Sequence, residues 1–251
     1  MPLISTPIWI YSTLALGLII SITLNAVLFY TAKKYYTRAK MSEVFPNHEA
    51  YFKKANAALP QKTEKRVILF GNSRIQEWTQ PPQLKGFELL NRGIGGETSA
   101  QNRLRFQQDV LALNPDIVIL QVGGNDLTAL GVQPQSYKAI TQHCQANLKF
   151  IVDSLLAQQI EVLFLTLIPP TQPDLARRLV WHHKIYQAVE EINQYWNQLP
   201  PTKHLHIVDT TKILKDENGR WHPNVNRDTL HLTPEGYHYL NQALTPILRA
   251  L

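Results

Sequence analysis

From residue 66 to the C-terminus, short apolar runs alternate with longer stretches in which apolar residues recur every three or four positions. The runs cover 66–70, 87–91, 116–122, 160–166 and 204–209. Short, nearly continuous apolar runs mark strands buried on both faces, as in a parallel sheet. The amphipathic stretches 99–113, 135–158, 174–199 and 234–251 fit helices. Thr233 followed by Pro234 gives the last one an N-cap and a first-turn proline. Residues 212–227 are polar, contain Asn218-Gly219 and read as a loop. This order predicts an α/β domain: a three-layer α/β/α sandwich around a five-stranded, mostly parallel sheet. Neither an internal repeat nor a low-complexity tract is present.

The N-terminus breaks the pattern. Residues 8–30 are almost wholly apolar, interrupted only by Ser12, Thr13, Ser21, Thr23 and Asn25. A helix of this length spans roughly 34 Å, enough to cross a bilayer core. Trp9 and Tyr11 stand at one end, and Phe29, Tyr30, Tyr35 and Tyr36 at the other, as interfacial belts do. The competing reading is a cleaved signal peptide, which wants a basic leading region, a shorter apolar run and a small-residue cleavage site. Residues 1–32 contain no Lys or Arg, and Tyr30-Thr31-Ala32-Lys33 is a poor cleavage site. The sequence therefore predicts one transmembrane anchor over 1–32, a basic juxtamembrane stalk over 33–65 and a folded domain over 66–251.

Charge sharpens that division. Residues 31–66 carry nine Lys and Arg against three Glu, which accounts for the whole net charge of +6. The remaining 67–251 hold 16 basic and 16 acidic residues. Basic residues near anionic headgroups each contribute about 1 kcal/mol, so the stalk is expected to lie against the membrane. With basic residues following the apolar run, the positive-inside rule places the C-terminal domain in the cytoplasm, although a domain of this kind works on either side. A nucleic-acid partner would need a basic patch on the folded domain, and none clusters there. The single cysteine, Cys144, excludes an internal disulfide and a Cys-rich zinc site. It reads as a buried bystander.

Four polar clusters lie where predicted strands end or before the last helix: Gly71-Asn72-Ser73, Gly93-Ile94-Gly95-Gly96, Gly123-Gly124-Asn125-Asp126 and Asp228-Thr229-Leu230-His231. In doubly wound sheets, ligands bind at the carboxyl ends of strands. Ser73 is a candidate nucleophile, His231 a candidate base, and Asp228 could orient the imidazole. Taken singly, a turn serine is more often a cap and a lone histidine structural. The glycine segment is neither a dinucleotide loop nor a P-loop, since it departs from Gly-x-Gly-x-x-Gly and has no Lys. Its Gly96 N–H and the Asn125 amide suit an oxyanion better. Asp126 reads as a cap or loop-stabilising residue.

With these residues in view, 66–245 resembles the GDSL-like, or SGNH, hydrolases, named for one Ser, Gly, Asn and His in four blocks. Leu69-Phe70-Gly71-Asn72-Ser73 resembles the first block, 91–98 the second, 122–126 the third and 228–231 the last. The resemblance implies a flavodoxin-like α/β/α fold. It also implies Ser73 as nucleophile, His231 as base, Asp228 as its orienting acid, and an oxyanion hole from the N–H groups of Ser73 and Gly96 with the Asn125 amide. It implies ester hydrolysis without a cofactor or metal. Asn72 departs from the family's usual Asp, which puts turn electrostatics in doubt and leaves the mechanism intact.

The resulting expectation is a membrane-anchored serine hydrolase acting on a small-molecule or lipid ester. An acyltransferase using the same acyl-enzyme, or a non-catalytic anchored binding module, are the alternatives. His182-His183 reads as a helix-surface pair, and Trp221-His222-Pro223 as either a pocket wall or packing.

Overall fold

The computed structural model describes residues 7–44 and 51–251. The chain divides into two compact units, Met1–Asn47 and His48–Leu251. The first six residues of the expected anchor and residues 45–50 of the expected stalk lie outside the described residues.

Among the described residues the first unit holds one helix, α1 (Ile8–Val44). Within its stretch Trp9–Thr37 an 18-residue window has a mean hydropathy of 2.0 and none of that window is buried, so it is long and apolar enough to cross a membrane. Length and composition of this kind serve either as an anchor or as an export signal. The helix continues through Lys33 and Lys34 into the basic segment, where Ala, Lys and Arg favour helix and neither Gly nor Pro intervenes before Pro46.

In the second unit β1 (Lys65–Gly71), β2 (Phe87–Gly93), β3 (Ile117–Gln121), β4 (Glu161–Leu165) and β5 (Leu205–Val208) form one parallel sheet. Their order is β2-β1-β3-β4-β5. The helices follow in chain order as α2 (Lys53–Ala57), α3 (Ser73–Gln76), α4 (Ser99–Asp109), α5 (Gly124–Thr128), α6 (Tyr137–Leu156), α7 (Leu175–Arg178), α8 (Lys184–Asn197), α9 (Thr210–Leu214) and α10 (Pro234–Ala250). Alternate strand residues feed two cores. Ile68, Phe70, Val118, Leu120, Val162 and Phe164 pack with Phe106 of α4, Leu148 and Ile151 of α6, and Ile192 and Trp196 of α8. Val67, Leu69, Ile117, Ile119, Leu163 and Leu165 pack with Ile75 of α3 and with Leu240, Leu244 and Leu248 of α10. Both faces are thus covered, which is why the strands lack polar alternation.

Three expectations are corrected. The helix expected over 174–199 is two, α7 and α8, separated by a turn in which the His182 imidazole Nδ1 accepts from the Lys184 N–H. That local bond competes with helix continuation. The helix expected over 99–113 ends at Asp109, followed by a 3₁₀ turn at Leu111–Leu113 that closes on Asn114 with a left-handed φ of 51°. The polar loop expected from 212 starts inside α9, which Asp209 caps through the N–H groups of Thr211 and Lys212. Helices α2, α3, α5 and α9 are only four or five residues long, too short to leave a periodic signal.

Because β1 lies between β2 and β3, the chain reverses direction across the sheet there. The crevice at the carboxyl ends of the strands at this switch point is where such folds place ligands.

Candidate active site

The register sets Gly71 beside Gly93 on one side and Gln121 on the other, so the first three clusters leave the sheet at one level. Close packing there requires glycine. A Cβ on Gly71 would stand 2.0 Å from the Gln121 carbonyl oxygen, and one on Gly93 would stand 2.2 Å from the Gln76 nitrogen. The first turn of α3 can therefore settle onto the end of β2. Asn72 caps that turn, its Oδ1 accepting from the Arg74 N–H at 3.2 Å. Ser73 follows, half-buried, with its hydroxyl free to turn toward the crevice.

The fourth cluster arrives from 158 residues further along the chain, and His231 Nε2 lies 3.1 Å from Ser73 Oγ. The other ring nitrogen, Nδ1, sits 3.0 and 2.9 Å from the two carboxylate oxygens of Asp228. Asp228 Oδ1 also accepts from the N–H groups of Leu230 and His231, at 2.8 and 3.0 Å. Partial burial alone would raise this carboxyl's pKa. The hydrogen bonds from Leu230, the imidazole and His231 outweigh it and hold the value at about 2. An ionised Asp228 on Nδ1 favours the tautomer whose Nε2 is a free acceptor for the serine proton.

The second and third clusters meet beside the serine. Gly95 and Gly96 form a turn in which Gly96 has a φ of +81°, a conformation open to glycine. A Cβ on Gly95 would lie 3.7 Å from Ser73 Cβ, and the Gly95 N–H donates to Gln76 Oε1 at 2.9 Å. Asn125 Nδ2 donates to the Glu97 carbonyl at 2.8 Å, which joins the two loops. An amide nitrogen carries two hydrogens, so one remains for the cleft that Asn125 lines. Gly96 itself is exposed and does not border that cleft. Ser73, Asn125 and Leu230 do, together with the apolar Leu167, Ile168 and Val189.

Two buried cations brace these loops, and neither is marked by local sequence. Arg74 donates from Nε to the Leu230 carbonyl at 2.7 Å and from Nη1 to the Ile168 carbonyl at 2.9 Å. Burial lowers its pKa to about 10, against the raising influence of Tyr237 and Asp228. Arg105 is fully buried and bridges Glu97 Oε2 at 2.7 Å and Asp109 Oδ2 at 3.1 Å. It also donates to the carbonyls of Gly71 and Arg92, at 3.1 and 2.9 Å, tying the ends of β1 and β2 to the Gly96–Glu97 loop. The only clue to Arg105 is its place on the inward face of α4, where an arginine demands partners.

Residues set aside in the sequence fall into place. Asp126 braces the first turn of α4, accepting from the Ser99 N–H at 2.8 Å and its hydroxyl at 2.5 Å, and burial raises its pKa against those bonds. Cys144 is buried with Sγ near the Gly123 carbonyl, and burial followed by the Asp126 charge pushes its thiol up. His182 and His183 stand just before α8 with rings 4.2 Å apart, His183 exposed at the N-cap and His182 half-buried, so the pair lies at the helix start and not within it. Among the described residues no group of three or more His, Cys, Asp or Glu could hold a metal ion. Trp221 and His222 pack against Lys215 and Tyr239, away from the cleft.

This arrangement of fold and loops has relatives. Residues 69–239 match the GDSL-like Lipase/Acylhydrolase family, and the chain belongs to it. In structure it is similar to a GDSL-like lipase from Bacteroides thetaiotaomicron, at 25% identity and a TM-score of 0.63, covering 81% of this chain and 98% of that one. A Bacteroides fragilis protein assigned provisionally as an acylhydrolase shares the fold at 24% identity and a TM-score of 0.64, covering 81% and 96%. Over 139 residues the chain is 29% identical to the uncharacterized lipoprotein YqeF of Bacillus subtilis, covering 49% of this chain and 56% of that protein. It thus spans little more than half the length of this curated relative.

Proposed function

We propose that this chain is a serine hydrolase of carboxylic esters, held at a membrane by α1. The observation that carries the reading is the continuous Ser73–His231–Asp228 hydrogen-bond chain, with 3.1 Å between Oγ and Nε2 and 2.9 Å between Nδ1 and the nearer carboxylate oxygen. Ser73 Oγ attacks the acyl carbonyl as His231 Nε2 takes its proton. The oxyanion accepts hydrogen bonds from the Ser73 N–H and the Asn125 amide, which line the cleft; the Gly96 N–H, on the exposed turn outside that lining, is the third donor that the family resemblance implies. His231 then protonates the leaving alcohol, leaving the acyl group on Ser73. Water, deprotonated by the same imidazole, releases the acid and restores the enzyme. The apolar lining of Leu167, Ile168 and Val189 suits an acyl chain and supports lipid or lysolipid esters; acetyl esters fit the same chemistry.

The Bacillus relative is a lipoprotein, which supports membrane attachment. The basic residues that follow the apolar run favour a cytoplasmic domain by the positive-inside rule, and protease protection in spheroplasts tests that side.

Substituting Ser73→Ala should lower turnover of short p-nitrophenyl esters by at least about a thousandfold with the circular dichroism spectrum unchanged. A fluorophosphonate probe should label Ser73 in the unsubstituted chain. Undiminished turnover by the alanine variant would reject the mechanism. Product analysis with an added alcohol distinguishes hydrolysis from acyl transfer.

A further inference from the structure

The wall of the Ser73 cleft leaves the domain at Pro170 and returns at Ile185, and the segment between those points is built unlike the rest of the surface. It carries the two most exposed large apolar side chains of the second unit, Leu175 at 79% and Leu179 at 89% exposure. Val180 and Val132 are exposed beside each other, because the Val180 carbonyl lies against Gly131, where a Cβ would approach it to 2.0 Å. Isolated exposed leucines need no explanation, but a group of them on one segment that starts and ends in the wall of an apolar cleft does.

The segment is pinned at both ends and tied only to itself in between. At its start, the Thr171 N–H donates to the Thr229 carbonyl at 3.0 Å and the Tyr186 hydroxyl donates to the Thr171 carbonyl at 3.0 Å. Thr229 lies inside the Asp228–His231 loop. Between 173 and 179 the recorded polar contacts are internal: Arg177 N–H to Asp174 Oδ1, Arg178 Nε to the Pro173 carbonyl, and the Arg177–Asp174 ion pair. Arg177 and Arg178 stand between the two leucines, and Lys184 follows, against Asp174 as the one acid of the segment. Apolar tips interleaved with cations match an anionic lipid surface, with apolar groups among acyl chains and cations at headgroup level. An aqueous protein partner would be matched by acids as well as apolar groups. A lipid surface also agrees with α1 in the same chain, whose length and hydropathy suit a membrane anchor.

We propose that residues 171–183, with the neighbouring Val132, form a membrane-dipping rim, in which Leu175, Leu179, Val180 and Val132 enter an anionic phospholipid bilayer and present lipid esters to the Ser73 cleft. The docking of the rim stands on its own observations; the delivery of an ester to Ser73 rests on the hydrolase reading above.

The test uses the full chain reconstituted in nanodiscs of phosphatidylcholine and phosphatidylglycerol. Cys144 is wholly buried, so a thiol-reactive nitrobenzoxadiazole label reports only an introduced cysteine. A label on Leu179→Cys should emit at shorter wavelength and be quenched by doxyl-phospholipid, while one on Leu104→Cys, an exposed position on α4, should not. The pair Leu175→Ser and Leu179→Ser should reduce turnover of bilayer-borne phospholipid at least about tenfold and leave soluble p-nitrophenyl acetate within about twofold. No quenching at position 179 overturns the rim. Equal quenching in phosphatidylcholine alone overturns the part assigned to Arg177 and Arg178. Equal losses on both esters overturn delivery. Quenching in a chain that turns over neither ester supports the rim and rejects the hydrolase reading, so the two failures are distinct.

Discussion

Asn72 shows how one side chain can depart from its family and keep its work. Its Oδ1 caps α3 through the Arg74 N–H, and Asn and Asp are near-equal caps. Asn72→Asp should therefore leave stability within about 0.5 kcal/mol, while Asn72→Ala should cost about 1 kcal/mol, both read from urea unfolding. A larger loss for the Asp variant would show that charge beside Ser73 matters more than the cap. Asp228 is the second case. Its carboxyl falls from 3.8 to about 2 on folding, so its stabilisation is complete above 3.8 and is lost as pH falls through about 2. In Asp228→Asn that pH-dependent contribution is absent, and the unfolding free energy should fall less steeply across this window. The same variant should lose about 10⁴-fold in kcat, because the amide no longer selects the useful imidazole tautomer. Ser73, Asp228, His231 and Asn125 were legible as residues because each stands in a short local block. Arg74 was not, since its partners, the carbonyls of Leu230 and Ile168, lie 156 and 94 residues away.

Among elements, the strands were the most legible, because a strand buried on both faces must be apolar at nearly every position. The long helices came next, and the break between α7 and α8 was missed because a side chain, His182, competes with the backbone there. The buried ion group on α4 belongs to this scale. Arg105 joins the ends of two strands to the loop after β2, and two carboxylates share its guanidinium. Arg105→Met should destabilise the fold by about 3–5 kcal/mol, since it strands charges in a dry interior. Chemical denaturation gives the number; a loss below about 1 kcal/mol would mean that water reaches Glu97 and Asp109.

At the scale of the whole molecule, charge and hydropathy divide the labour. The second unit holds the residues of the candidate site, and α1 holds the apolar length. If α1 is retained as an anchor, the chain should stay in the membrane fraction after alkaline carbonate extraction at its full 28.7 kDa. A shorter, soluble product would assign α1 to export instead. The sequence by itself determined the strand order along the chain, the parallel sheet, the candidate anchor and the candidate reactive residues. All of these follow from local patterns: apolar runs, turn residues and short motifs. Only the tertiary structure decided which distant groups meet. It brings His231 to 3.1 Å from Ser73, sets Arg105 under two strand ends, and leaves Leu175 and Leu179 uncovered on the segment between Pro170 and Ile185. Those outcomes depend on packing between segments up to 158 residues apart, and no local pattern encodes a distance across such a separation.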